Sequence, residues 1–292
     1  MNLSQSESER KGLAQRQQLS RPDLGKLAKR KFDPIEVLRE SCRNRIPKLL
    51  PVKFKLMSGS PFVFYRGSVE IMAADLAAGE HTGIDLQLCG DAHVKNFGFY
   101  ATPGSDIVLD VNDFDETWRG PWEWDVKRMA ASIALAGREA GETDSRCKDA
   151  VSEFTARYCA WIRRFASMPT LDVARHRITR DYRDPFIRTA LEKAERSTPL
   201  INLKKLTEKT AHGRRFRVQP NALWEVEGKT KTAVLNALKD YARTLSPDHQ
   251  FLFDRYRAVD VGFKVVGTGS VGTYDYVVLL LGYDDNDPLF LR

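Results

Sequence analysis

The 292-residue chain has four cysteines, Cys42, Cys89, Cys147 and Cys159, and no two of them stand in CxxC spacing. That excludes the paired spacing of a secreted disulfide scaffold, and a reduced, cytoplasmic setting is expected. No stretch approaches ~18 uninterrupted apolar residues, so no membrane span is expected. The first residues lack an apolar core followed by a cleavage site, so no signal peptide is expected. There is no internal repeat and no low-complexity tract. Histidine is scarce as well. Of the five, none lies within ten residues of His93, which argues against a histidine-based metal site there.

What is present fits a globular protein with a substantial core: 42% hydrophobic and 10% aromatic residues,. The formal charge is +7. A polyanionic ligand such as a nucleotide, a nucleic acid, or simple surface solvation each accounts for it.

Residues 1–31 are polar and basic (Ser4, Gln5, Ser6, then Arg10, Lys11, Arg16, Arg21, Lys26, Lys29, Arg30 and Lys31). They read as a flexible arm. A helix is expected from Pro34 to about Ile46, closed by Pro47 and Pro51. Ser58-Gly59-Ser60-Pro61 is turn chemistry, and Phe62 to Tyr65 reads as a short buried run. Arg66 suits bidentate binding of a phosphate or carboxylate, or a structural ion pair. Ser68 is placed to cap a helix through Leu76. Two further helices are expected, from Pro121 to about Ala140 and from Asp144 to Phe165, the first with Val126, Met129, Ile133 and Leu135 as its apolar face.

Residues 170–220 are strongly basic, with Arg175, Arg177, Arg180, Arg183, Arg188, Lys204, Lys205, Arg214, Arg215 and Arg217. They hold an expected helix at Pro185–Glu195 and a boundary or mobile insert near His212–Pro220. The C-terminal part turns β-prone, with strands expected at Tyr256–Val266, Tyr274–Leu281 and Pro288–Leu291. The predicted organisation is a basic arm (1–31), a helical lobe with the catalytic and metal-binding loops (32–220), and a Gly-rich β region (221–292). The chain stops at Arg292 within an apparent strand, so a C-terminally truncated sequence is expected.

Two acidic segments carry the chemistry. After the apolar lead-in Ile84–Leu88 comes Cys89-Gly90-Asp91-Ala92-His93-Val94-Lys95-Asn96. After Ile107-Val108-Leu109 comes Asn112-Asp113-Phe114-Asp115-Glu116. Asp91 and Asn96 stand five apart, the spacing of the Asp and Asn in a kinase catalytic loop. In that loop the Asp accepts the proton of a substrate hydroxyl and the Asn holds Mg²⁺. Asp113 then becomes the acid on the metal that bridges the nucleotide phosphates. These hard oxygen donors suit Mg²⁺, not zinc. Asp115 is a second metal acid or surface charge. His93 is grouped with Asp91 as a catalytic-loop residue that orients the loop or contacts Asp113. The competing reading has Asp91 and His93 merely capping a turn.

Gly267-Thr268-Gly269-Ser270-Val271-Gly272 has GxGxxG spacing. In a dinucleotide fold a helix would follow, but Thr273 to Leu279 favour a strand. A glycine loop between antiparallel strands is the kinase arrangement, in which backbone amides cover the phosphates of ATP. An ordinary Gly-rich hairpin is the alternative. Gly267, Gly269, Ser270 and Gly272, with Arg66, are the candidate nucleotide-binding residues.

Gly90-Asp91-x-His93-x-x-Asn96 resembles the HGDxHxxN signature of the aminoglycoside phosphotransferase and choline kinase group, with Cys89 in place of the first His. Val111–Asp115 looks like that group's metal-binding segment. Trp124-Asp125-Val126 looks like its following helix start, where the resemblance implies that Asp125 braces the catalytic loop. More closely, SPFVFYRG, QLCGDAHVKNFG, LDVNDFDETWRGPWEWDVKRMAAS and KVVGTGSVGT resemble the bacterial domain-of-unknown-function 2252 family, from about residue 30 to the C-terminus. The resemblance implies an α+β, protein-kinase-like fold. Because the glycine run follows the catalytic loop, the fold is expected to be circularly permuted. Similar members continue past the last strand into a Lys-Glu pair, so the chain is expected to be incomplete there and to lack the nucleotide-binding Lys.

The sequence thus reads as an ATP- and Mg²⁺-dependent phosphotransferase acting on a small-molecule or protein hydroxyl. A non-catalytic nucleotide-binding pseudokinase, or a partner-binding module, is the alternative. A nucleic-acid binder ranks last, because the basic stretch has few aromatics to stack bases.

Overall fold

The structure is a computed structural model that describes residues 5–102, 104, 106–179, 182, 184–196, 198–211, 213–220, 222–265 and 267–292. Ser4, Arg180, Arg183, His212 and Val266, named above, lie outside the described residues. The helices are α1 (Gln5–Gln18), α2 (Arg21–Leu24), α3 (Pro34–Ser41), α4 (Leu50–Met57), α5 (Pro61–Arg66), α6 (Val69–Ala77), α7 (Glu123–Glu139), α8 (Asp144–Ala166), α9 (Thr170–Arg175), α10 (Pro185–Glu195), α11 (Pro199–Leu206), α12 (Gly228–Thr244) and α13 (Pro247–Phe253). The strands are β1 (Asp85–Leu88), β2 (Phe97–Ala101), β3 (Ile107–Val111), β4 (Trp118–Pro121), β5 (Thr207–Thr210), β6 (Gly213–Phe216), β7 (Leu223–Glu225), β8 (Arg257–Lys264), β9 (Tyr276–Leu281) and β10 (Pro288–Leu291). The class is mixed α+β with small antiparallel sheets.

The chain divides into two compact units, 1–44 with 54–191, and 45–53 with 192–292. The sequence reading drew its line at 220/221. Nothing in local periodicity shows that residues 45–53 join the C-terminal unit, because only packing decides it.

In the first unit, β1 pairs with β4 and β2 with β3, each as a two-stranded antiparallel ribbon. Within residues 1–31, read as a flexible arm, α1 is helical, and Gln15 donates from Nε2 to the Thr82 carbonyl at 3.2 Å. Arg30 donates from Nε to Asp75 at 2.7 Å. The helix expected from Pro34 to Ile46 ends at Ser41. Pro51 does not close a segment. It sits in the first turn of α4, where a missing N–H is tolerated. The apolar run after Ser60-Pro61 is helical. Ser60 accepts from the Val63 amide, and Pro61 is pre-set for the first helical position,.

In the second unit, β10, β9, β8 and β7 form one antiparallel sheet in that order. One face packs Val261, Phe263, Val265, Val278 and Leu280 with Leu49 and Val271. The other packs Leu279 and Leu281 with Leu203, Phe216 and Leu223. The alternation along β9 follows the two-residue period of a strand buried on both faces. β8 and β9 pair with Val261 opposite Val278 and Phe263 opposite Tyr276. The glycine run therefore lies between two antiparallel strands, and no helix follows it.

Candidate active site

The first unit builds its site where β1 runs out. Leu88 is the last paired residue, opposite Trp118, and its carbonyl accepts from Thr117 Oγ1 at 2.7 Å. The next two amides turn to α7. Cys89 and Gly90 donate to the two carboxylate oxygens of Asp125, at 2.7 and 3.1 Å. Gly90 has φ +85, and a Cβ there would stand 1.8 Å from the Glu116 carbonyl oxygen. Only glycine passes this point without moving the neighbouring backbone. Asp125 thus holds the backbone immediately before Asp91.

Asn96 joins the two acidic segments. It is buried, and its Nδ2 donates to the Asp91 carbonyl at 3.0 Å and to the Asp113 carbonyl at 3.2 Å. Its own carbonyl accepts from the Asn112 amide. The loop is closed internally by Asn96 N–H to His93 O at 2.8 Å, and Val94 N–H donates to Ser132 Oγ at 3.1 Å. Asp113 and Asp115 are exposed, and the Asp115 amide lies 3.4 Å from Asp113 Oδ1.

Asp91 is held from the side. Arg128, 2% exposed, donates from Nε to Asp91 Oδ1 at 2.7 Å and pairs with the same oxygen through Nη2. Arg128 also donates to the Tyr65 carbonyl and lies over the Tyr65 ring. His93 Nε2 stands 3.4 Å from Asp91 Oδ2 and 3.4 Å from Arg66 Nε. Its partners are therefore Asp91 and Arg66, not Asp113. His93 Nδ1 is buried and meets no hydrogen-bond partner among the described residues. Arg66 lies in this unit, beside His93.

The electrostatics follow. Burial pushes the Asp91 carboxyl up, but the His93 hydrogen bond and the Arg128 charge outweigh it and hold Asp91 below the usual range,. Asp125 is shifted the other way, upward. Burial is the main cause and exceeds the opposing pull of the Cys89 and Gly90 amides and Arg128. Burial also raises the Cys89 thiol to about 11 and the Tyr65 hydroxyl to about 12. Cys89 is therefore a neutral wall of the loop.

The candidate residues Gly267, Gly269, Ser270 and Gly272 belong to the second unit. Their loop is held by its carbonyls. Arg45 donates from Nη1 to Gly269 O at 2.6 Å and Val271 O at 2.9 Å, and Lys53 Nζ donates to Gly269 O at 3.1 Å. Ile46 N–H donates to Gly272 O at 2.8 Å, and Thr273 Oγ1 to Ser270 O at 2.6 Å.

Sequence reasoning missed Arg128, Ser132, Arg45 and Lys53. For the first two a signal existed. Asp125, Arg128 and Ser132 fall at i, i+3 and i+7, one face of α7. The expected apolar face used Val126, Met129, Ile133 and Leu135, yet Arg128 and Ser132 are as buried as Met129.

Among the described residues, no group of three or more His, Cys, Asp or Glu is placed to share one ion. None of the described helices is long and apolar enough to cross a membrane. A family model described as an uncharacterised protein conserved in bacteria (DUF2252) matches residues 45–292. The chain belongs to that family. No curated protein and no solved structure matches the chain.

Proposed function

From this family membership and the construction of the two loops, we propose that the chain is a phosphotransferase of protein-kinase-like, circularly permuted fold, related to the aminoglycoside phosphotransferase and choline kinase group. It moves the γ-phosphoryl group of ATP to a hydroxyl of a small-molecule or protein acceptor, with Mg²⁺. The observation that carries the reading is the pair of links made by Asp125 and Asn96. One carboxylate clasps the two amides before Asp91, and one amide nitrogen ties the Asp91 and Asp113 segments together. A loop that only capped a turn would need neither.

The residues present fit Mg²⁺. Asn96 Nδ2 is committed to two carbonyls, so its Oδ1 remains as a hard donor beside the Asp113 segment,. Asp113 and Asp115 supply carboxylates. Mg²⁺ typically takes one or two carboxylates plus phosphate oxygens and keeps several waters, so a closed protein cage is not required. When bound, it neutralises charge on the phosphate oxygens.

The chain's own part is positioning. Arg128 and His93 fix the Asp91 carboxylate so that one oxygen can receive the acceptor's proton. The acceptor oxygen forms the new bond to the γ-phosphorus as the bond to the β,γ-bridging oxygen breaks and ADP leaves. A depressed carboxyl is a weak base, which suits a loose transition state in which positioning outweighs proton abstraction.

Asp113→Ala tests this. The side chain is exposed, so the fold should persist while Mg²⁺-dependent ATP turnover falls to background. Unchanged turnover sinks the assignment. A second reading, nucleotide binding without transfer, is favoured by the tie between Arg128 and Asp91. It gives ATP-dependent thermal stabilisation that survives Asp91→Asn, with no turnover in either protein.

A further inference from the structure

Beside the Asp91 loop the first unit holds a cavity of about 290 Å³, which Asp91 itself does not line. That is the small end of ligand pockets, which run from about 300 to 1,000 Å³. Met72 and Leu76 from α6, Leu88 from β1, Trp118 from β4 and Trp124 from α7 wall it. Trp118 is 72% exposed, so this wall opens to solvent. Among the described residues that line the cavity there is no serine, threonine, asparagine or glutamine. Such walls suit an apolar body and not a sugar, whose hydroxyls would lose water without gaining partners.

The charges in the wall leave one sign unanswered. Glu70, Glu116 and Asp125 line the cavity, and so does Arg128. Arg128 is committed to Asp91 and to the Tyr65 carbonyl. Asp125 is committed to the amides of Cys89 and Gly90. Glu70 differs. It stands in the first turn of α6 and is half-buried. Its Oε2 is buried and meets no hydrogen-bond partner among the described residues. The helix dipole favours an acid in a first turn, but it would favour a fully solvated one as well. A carboxylate set among apolar walls without a donor is costly until a cation or an N–H group reaches it. The indoles of Trp118 and Trp124 line the same space, and an indole face attracts a cation.

We propose that this cavity binds a primary organic ammonium ion with an apolar alkyl or aryl body, and that Glu70 pairs with its nitrogen. The ammonium donates N–H to the Glu70 carboxylate. The body packs among Met72, Leu76 and Leu88, and the two indoles flank it. A quaternary ammonium has no N–H to offer and fits less well. No phosphoryl transfer is assigned to this ligand, and the site does not rest on the phosphotransferase reading.

Isothermal titration calorimetry on the full chain at neutral pH tests this, with phenethylammonium and butylammonium as probes. Phenethyl alcohol is the neutral isostere, and phenethyltrimethylammonium is the cation without N–H. The wild type should bind phenethylammonium about tenfold more tightly than either control, the size of one charge-assisted hydrogen bond. Glu70→Gln keeps the shape and removes the charge. It should cut the margin over the alcohol about tenfold and leave affinity for the alcohol unchanged. Trp118→Ala removes an exposed wall and should weaken both phenethylammonium and the alcohol. Thermal melts check that each variant folds. If Glu70→Gln does not, the margin of amine over alcohol in the wild type decides. No saturable binding of either primary ammonium ion up to about 10 mM, or equal affinity for amine and alcohol, overturns the proposal. So does a margin that survives Glu70→Gln, or a quaternary ion bound as tightly as the primary one. Unchanged affinities in Trp118→Ala overturn the placement of the ligand in this cavity. All of these outcomes leave the phosphotransferase reading to its own test at Asp113.

Discussion

The two loops are held by opposite means. In the first unit a carboxylate, Asp125, clasps backbone N–H groups at Cys89 and Gly90. In the second unit two cations, Arg45 and Lys53, clasp backbone carbonyls at Gly269 and Val271. A clasp neutralises the partial charge it engages. In the Asp91 loop the engaged groups are the two amides before Asp91, and the exposed carboxylates of Asp113 and Asp115 lie on the neighbouring segment. In the glycine loop the engaged groups are the carbonyls from Gly269 to Gly272.

The largest test of this contrast is at Arg128. It is almost fully buried against Asp91. Arg128→Met leaves the partly buried Asp91 carboxylate without its main partner and should lower stability by about 3–5 kcal/mol,, read from urea unfolding. A loss below ~1 kcal/mol would show that Asp91 finds another partner and that its loop is not locked as described. Next comes Asp125→Ala, which strands the two amides it clasps. Each buried donor left unsatisfied costs about 1–3 kcal/mol, so a total near 3 kcal/mol is expected. Part of this is offset because a carboxyl already pushed up by burial is released. Asp125→Asn keeps one acceptor oxygen and should lose less. Equal losses from the two substitutions would mean that the clasp is packing, not hydrogen bonding.

Gly272→Ala probes the other loop and should have a smaller effect. The left-handed backbone penalises any Cβ by roughly 1–2 kcal/mol. The nearest neighbour is the Arg45 stem at 3.2 Å, a side chain that can yield by a few tenths of an ångström. At Gly90 the obstacle is the Glu116 backbone carbonyl at 1.8 Å, so Gly90→Ala should be the worse of the two. If differential scanning calorimetry ranks them the other way, the glycine loop is the more rigidly built, and the contrast must be redrawn.

How much of this could be read from the chain depends on whether the cause is local. Strands ending in acids, the helices α6 to α8 and the β8 to β9 pairing all follow from short-range apolar periodicity, and the structure has them. The helical turn at Pro61–Arg66 was missed because Phe62, Val63, Phe64 and Tyr65 look strand-like until Ser60 is credited with a cap on Val63. Arg128 was legible in principle, one turn after Asp125, but a charged residue on a helix is ordinarily assigned to solvent. Arg45 and Lys53 were not legible at all. Their acceptors lie 216 to 226 residues away, and no spacing rule links positions that meet only through folding.

The smallest expected effect is a dependence on pH, and it separates the two carboxylates of the first loop. Asp91 titrates below its ordinary value in the folded chain. The unfolded chain therefore binds its proton first as pH falls, and the stability Asp91 contributes, present above about pH 4, is lost as pH drops through the lowered folded value. Asp125 titrates above its ordinary value. Its contribution runs the other way, greatest below about pH 4 and lost as pH rises through the raised folded value. One proton limits either slope to about 1.4 kcal/mol per pH unit. Urea midpoints measured from about pH 2 to 7 should therefore show a flatter acid limb for Asp91→Asn than for wild type. The gap between wild type and Gly272→Ala should stay constant, because the carbonyls that hold the glycine loop do not titrate. An acid limb that Asp91→Asn leaves unchanged would mean that its pairing with Arg128 and His93 does not stabilise the fold. The first loop would then owe its shape to Asp125 and Asn96 alone.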